Sequence, residues 1–184
     1  MGDWQSRLQR DLQRAVARAG LSTGRAGNGS PYYPQHLAIL SEPYLEWILS
    51  GRKTIESRFS VNRVAPYGLV RPGDRLLLKR VSGPVLGLCA VSKVAFFELD
   101  EATRSRLRER YSKALCAEDP AFWRARERAS YATLMYLEDV HRLAPIPCGK
   151  RDRRGWVVMP EVPGHEQFSL PSDRSGRPDR ERQV

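Results

Sequence analysis

Apolar and polar positions alternate with two different periods along this chain, and the change of period marks its elements. The segment "DWQSRLQRDLQRAVARA" (3–19) places Trp4, Leu8, Leu12, Ala15, Val16 and Ala19 at helical spacing, with Asp3 available as a cap and Gly20 as a stop. Its other face is Arg and Gln, so the spacing predicts an amphipathic helix within residues 1–20. Its narrow apolar stripe suits docking on the main domain, and its basic face suits RNA or a protein partner. Residues 21–35 are rich in Gly, Ser and Pro and read as a linker. "HLAILS" (36–41) reads as a central strand and "EPYLEWILSG" (42–51) as a short helix with Pro43 in its first turn and Gly51 at its end. "KTIESRF" (53–59) alternates like a strand, with Thr54, Glu56 and Arg58 on one face and Lys53, Ile55, Ser57 and Phe59 on the other. Strict alternation puts Lys53 on the other face, so Lys53 joins them only if it lies on the helix–strand junction.

A Pro-Gly-Asp turn leads into the strand "RLLLKR" (75–80), and 83–99 reads as a longer strand, bent at Gly87. Two helices are expected next, at 100–116 behind the cap Asp100 and at 119–129. Strands follow at 131–147 and 154–160. The tail 171–184 carries almost no apolar residue and reads as disordered. One domain over 36–170 is therefore expected. Five or six strands with inserted helices favour an α+β fold, a small mixed β-barrel with helices flanking its mouth.

Charge narrows the partners. The 184 residues carry 31 Lys and Arg against 21 Asp and Glu, a net charge of +10, which favours an anionic partner, nucleic acid before a membrane surface. No apolar run approaches the ~18 residues needed to span a bilayer, and no apolar signal core opens the chain, so a cytoplasmic protein without a membrane partner is expected. The cysteines Cys89, Cys116 and Cys148 are far apart and odd in number, which suggests free thiols. His36, His141 and His165 lack metal-ligand spacing, and no metal or cofactor is expected.

The apolar strand, then "PYLEWILSGRKTIESR", then "RPGDRLLL" resembles the ASCH domain of the PUA-like superfamily over roughly residues 36–160. The shared pattern is Gly-x-Lys-x-x-Glu-x-Arg after a helix, here Gly51, Lys53, Glu56 and Arg58, followed by a Gly-Asp turn, Gly73 and Asp74. The resemblance implies a β-barrel with a cleft beside the signature helix for RNA or a nucleotide. Some members of that family look like RNA-binding modules, at least one is an amidohydrolase of acetylated cytidine, and others have been described as ribonucleases. The amidohydrolase pattern has a Thr where this chain has Glu56.

Two readings follow for the cleft. As a binding module it uses Lys53 and Arg58 as cations for phosphate, with Glu56 holding them in register or accepting from an amine or ribose hydroxyl. Tyr44 is the candidate for stacking on a base. Ser41 either caps the following helix or contacts the guest, and Arg63, Lys79 and Arg80 extend the basic track, with "KRDRR" (150–154) as a further basic point. As a hydrolase the same cleft uses Lys53 as base or phosphate clamp and Glu56 as acid–base, with Thr54 or Ser57 as nucleophile. A third reading is a protein-interaction adaptor that works through the N-terminal helix. The oligomeric state is not legible.

Overall fold

The computed structural model describes residues 3–21 and 35–159. The tail expected at 171–184, and the linker apart from its end residues Leu21 and Gln35, lie outside the described residues. The elements run α1 (Asp3–Arg18), β1 (His36–Leu40), α2 (Tyr44–Leu49), β2 (Ile55–Ser60), β3 (Arg75–Arg80), β4 (Val85–Glu98), α3 (Glu101–Leu115), α4 (Pro120–Arg124), β5 (Tyr131–Ile146) and β6 (Trp156–Val158). No helix among the described residues is long and apolar enough to cross a membrane.

All six strands form one sheet in the order β2-β5-β4-β3-β1-β6. β1 and β3 are parallel neighbours, and the other pairs are antiparallel. A parallel pair in mid-sheet is buried on both faces, which is why "HLAIL" and "RLLLKR" read as nearly continuous apolar runs. β4 and β5 are long, and their ladder shifts register at three places, one between Val85 and Gly87. Such bulges bend a strand and strengthen its twist. The sheet curls into an α+β half-barrel.

Three apolar clusters fill the molecule. On the outer face, Leu8, Leu12 and Val16 of α1 bury against Leu37, Leu77, Leu88, Leu143 and Val157. The stripe read from the sequence is thus a docking stripe. Inside the curl, Leu45 and Ile48 of α2 meet Leu76, Leu78, Cys89, Met135 and Trp156. At the far end, α3 and α4 cover β2 and β5 through Leu107, Leu115 and Phe122 against Ile55, Ala132 and Leu134. Both late helices are capped by aspartates: Asp100 accepts from the Thr103 amide and Asp119 from the Ala121 amide, each at 2.7 Å.

The Pro-Gly-Asp turn is tied to the interior through a buried histidine. The Trp156 indole N–H donates to His36 Nδ1 at 3.3 Å. Because an indole nitrogen only donates, Nδ1 is the acceptor and the ring proton sits on Nε2, which donates to Asp74 at 3.0 Å. The same Asp74 oxygen accepts from the Arg71 amide at 2.7 Å and closes the turn.

Gly87 is required by close approach. A methyl group there would lie 2.5 Å from Leu49 Cδ2 and 2.7 Å from the His141 carbonyl oxygen. The leucine can shift, but the carbonyl belongs to the β5 backbone. Gly87→Ala is expected to lower stability by about 1–3 kcal/mol in chemical denaturation, and an unchanged midpoint would refute the contact.

Candidate functional site

The curl leaves β2 at one edge of the sheet facing β1 and β6 at the other. Among the described residues no backbone ladder joins those edges, and an arginine spans the gap instead. Arg58 of β2 donates from Nη2 to the Ile39 carbonyl at 3.0 Å and from Nη1 to the Gly155 carbonyl at 3.2 Å. Its guanidinium also lies 5.2 Å from the centre of the Trp156 ring, a cation–π distance.

Behind this clasp runs a buried ionic chain. Glu56 Oε1 lies 3.1 Å from Arg58 Nε, and Oε2 lies 3.2 Å from Lys53 Nζ. Arg58 Nε makes no hydrogen bond among the described residues, so its contact with Glu56 is one of charge. Lys53 also donates to the Ile55 carbonyl. Lys53 and Glu56 are only 3% and 4% exposed, so each needs the other's charge. Local geometry explains how Lys53 reaches the same side as Glu56. Gly51 ends α2 with φ of +77°, the Lys53 amide returns to the Trp47 carbonyl at 2.8 Å, and regular pairing of β2 begins only at Ile55. Lys53 lies on the junction and escapes the strand's alternation.

The chain forms one wall of a cavity of about 390 Å³ at the gap between β1 and β2. Ile39, Leu40 and Ser41 line the β1 side, Tyr44 stands at the start of α2, and Phe122 and Arg126 close the far side from the α4 region. Tyr44 meets Phe122 edge-on at 6.2 Å, and Phe122 meets Phe59 edge-on at 6.0 Å. Arg126 is fixed by donation to the Phe122 carbonyl at 2.7 Å, with its guanidinium 3.6 Å from that ring's centre. Burial lowers its pKa, an effect that Tyr44 and Glu56 oppose and the positive charge of Arg58 reinforces. Beneath the chain lies Cys89, whose thiol is pushed up to about 12 by burial first and by the charge of Glu56 second.

The sequence matches no family profile, and no curated protein matches it. Solved structures do. Two variant forms of the ASCH protein from Zymomonas mobilis each superpose with a TM-score of 0.50 and 20% identity, covering 62% of this chain and 76% of theirs. A protein of Enterococcus faecalis superposes with a TM-score of 0.51 and 12% identity, covering 76% of this chain and 95% of its own. The fold is that of the ASCH domain.

On this ASCH fold, Ser41, Tyr44, Lys53, Glu56, Ser57 and Arg58 come together around one cavity, while Thr54, Arg63, Lys79, Arg80 and the run 150–154 do not. Thr54 is exposed, and its backbone bonds outward to Ala114 and Leu137, because it sits on the opposite side of the junction from Lys53. Arg63 turns away to Glu98 and the Tyr131 ring. Lys79 is buried with its ammonium on the Arg80 carbonyl at 3.0 Å, and Arg80 pairs with Glu42 at 3.0 Å. The run 150–154 folds on itself, since Lys150 and Arg154 both grip Asp152 and hold its carboxyl below the usual range. Ser41 does not cap α2. Pro43 occupies the cap position, and the Glu42 carboxylate takes the Glu46 amide at 3.2 Å.

Sequence reasoning missed Arg126, Phe122 and Phe59. For Phe122 and Arg126 the signal was the interleaving of aromatics and arginines in "FWRAR", a pattern that nucleic-acid surfaces use.

Two outcomes test this geometry. Glu56→Gln leaves two cations without their shared carboxylate and is expected to cost about 3–5 kcal/mol by urea unfolding. Lys53→Met leaves Glu56 with Arg58 and is expected to cost less, and the reverse order would refute the chain. For Cys89, the raised pKa means that the folded state favours the neutral thiol. Its contribution to stability is intact below the ordinary thiol pKa of about 8.5 and falls as pH rises toward 12. At pH 8 native Cys89 is expected to resist iodoacetamide and to alkylate only after unfolding, as read by peptide mass spectrometry.

Proposed function

We propose that this cavity binds a nucleotide unit of RNA. The observation that carries the reading is the charge left over on its walls: one carboxylate, Glu56, stands against the cations Lys53, Arg58 and Arg126 around an aromatic-lined hollow of about 390 Å³. That volume lies within the range of small-ligand pockets. The surplus positive charge attracts a phosphate, and Tyr44, Phe59 and Phe122 supply flat apolar surface for a base. Ser41 and Ser57 add hydroxyls at the rim for a polar base edge or a ribose hydroxyl. The overall charge of +10 steers the same kind of partner. The ASCH fold of the solved neighbours supports the reading at the level of architecture.

A hydrolase on the same cavity is the second reading. Thr54, outside the cavity, drops out as its nucleophile, and Ser57 or Ser41 beside Lys53 would take that place. Product formation separates the two readings.

The test uses a fluorescent single-stranded oligoribonucleotide titrated at several salt concentrations, with acetylated cytidine incubated in parallel and both mixtures read by mass spectrometry. Wild type is expected to bind with steep salt dependence and to leave the RNA intact. Arg126→Gln removes a charged donor whose one hydrogen-bond partner among the described residues is the Phe122 carbonyl, so affinity is expected to fall about tenfold and the salt slope by about 0.7. Cleaved RNA or released acetate would establish the hydrolase. Equal, salt-insensitive affinity in both proteins would overturn both readings.

A further inference from the structure

A second hollow adjoins the first, and the two share a wall. It encloses about 200 Å³ between α3, α4 and β2, and Phe59 and Arg126 line both cavities. Its other walls bring an aromatic ring and more guanidiniums. Trp123 meets Phe59 edge-on at 6.0 Å, and its indole N–H is pinned to the Ala117 carbonyl at 2.8 Å. Arg104 is held by the Ala129 carbonyl at 2.6 Å, and Arg108 is exposed on the next turn of α3. The carboxylates of Glu101 and Glu127 also line the hollow and are outnumbered by the arginines.

Resting on the reading of the first cavity as a nucleotide site, we propose that this second hollow seats the neighbouring nucleotide of a single-stranded RNA. The site then binds a dinucleotide step in preference to a free nucleotide. Successive bases of a strand are joined by one phosphate, and one guanidinium, Arg126, stands where the two hollows meet. Phe59 presents its ring between them, and Trp123 offers the second base a stacking partner of the kind that single-strand binders use. Arg108 lines the second hollow from α3, beside the second nucleotide. The helices α3 and α4 therefore do more than cover β2, because they double the length of strand the cleft can hold.

The experiment measures the affinity of the full chain for ribonucleoside monophosphates and for the set of ribodinucleotides, by calorimetry and by Trp fluorescence. The best dinucleotide is expected to bind about tenfold more tightly than its component monophosphates. Arg108→Glu, at an exposed position, is expected to erase that gain while leaving monophosphate affinity within about twofold. Ser105→Phe fills the hollow from α3 and is expected to do the same. A dinucleotide gain that survives both substitutions, or no gain in wild type that still binds monophosphates, would overturn the second subsite alone. Wild type that binds neither probe would overturn the first cavity's reading together with it.

Discussion

Glu56 is a carboxylate almost wholly removed from water, and the cleft exists in its present form because two cations come to it from opposite directions. Lys53 arrives from the end of α2 at 3.2 Å and Arg58 from two residues further along β2 at 3.1 Å. Arg58 then spends its remaining donors on the carbonyls of Ile39 and Gly155, across the gap between the sheet's two edges. Charge neutralisation in the interior and closure of the curl are thus performed by one side chain. A backbone ladder across the same gap would have closed the barrel more regularly, but it would have filled the space that forms the cavity. The side-chain clasp holds the edges together at one point and leaves room beside it.

The helices after β4 convert that gap into a cleft with a far wall. Leu107, Leu115 and Phe122 hold α3 and α4 against β2 and β5 mainly through apolar burial. That packing fixes the ends of the helices, so Arg126, at the end of the α4 region, is delivered to the cavity by the same core whose Phe122 forms part of the cavity wall. Its position is reinforced locally by Phe122, which accepts its hydrogen bond and lies beneath its guanidinium. Arg126 thus occupies a site in which burial disfavours its charge and Arg58 repels it, opposed by Glu56 and Tyr44. An anion bound between the two guanidiniums would relieve both penalties at once.

Much of this was legible in the sequence because it was local. The alternation of "TIESRF", the cap Asp100, the Pro-Gly-Asp turn and the stripe of α1 each specify their own element within a few residues. The spacing of Lys53, Glu56 and Arg58 became interpretable once the turn at Gly51 was allowed to break the alternation. What stayed hidden was long-range. Arg63 and Arg80 look like cleft residues by proximity in sequence, yet each is captured by an acid from elsewhere, Glu98 and Glu42. Arg126 looks like one charge among many on a helix, and only the docking of α4 onto β2 singles it out. Pairing that depends on the fold of the whole sheet has no signature in a window of ten residues.

The same geometry bears on what chemistry the cleft favours. Both oxygens of Glu56 are engaged, one by each cation, so using it to accept a proton would mean loosening an ion contact that also holds the seam shut. Lys53 is engaged twice, by Glu56 and by the Ile55 carbonyl. Among the described residues no histidine lines the cavity to activate Ser41 or Ser57. The groups least committed to the fold are Arg126 and the hydroxyls at the rim, and these are recognition groups before they are catalytic ones. A wall that is electrostatically settled before a guest arrives needs little rearrangement when one binds. That preorganisation supports the proposed binding site over the proposed hydrolase.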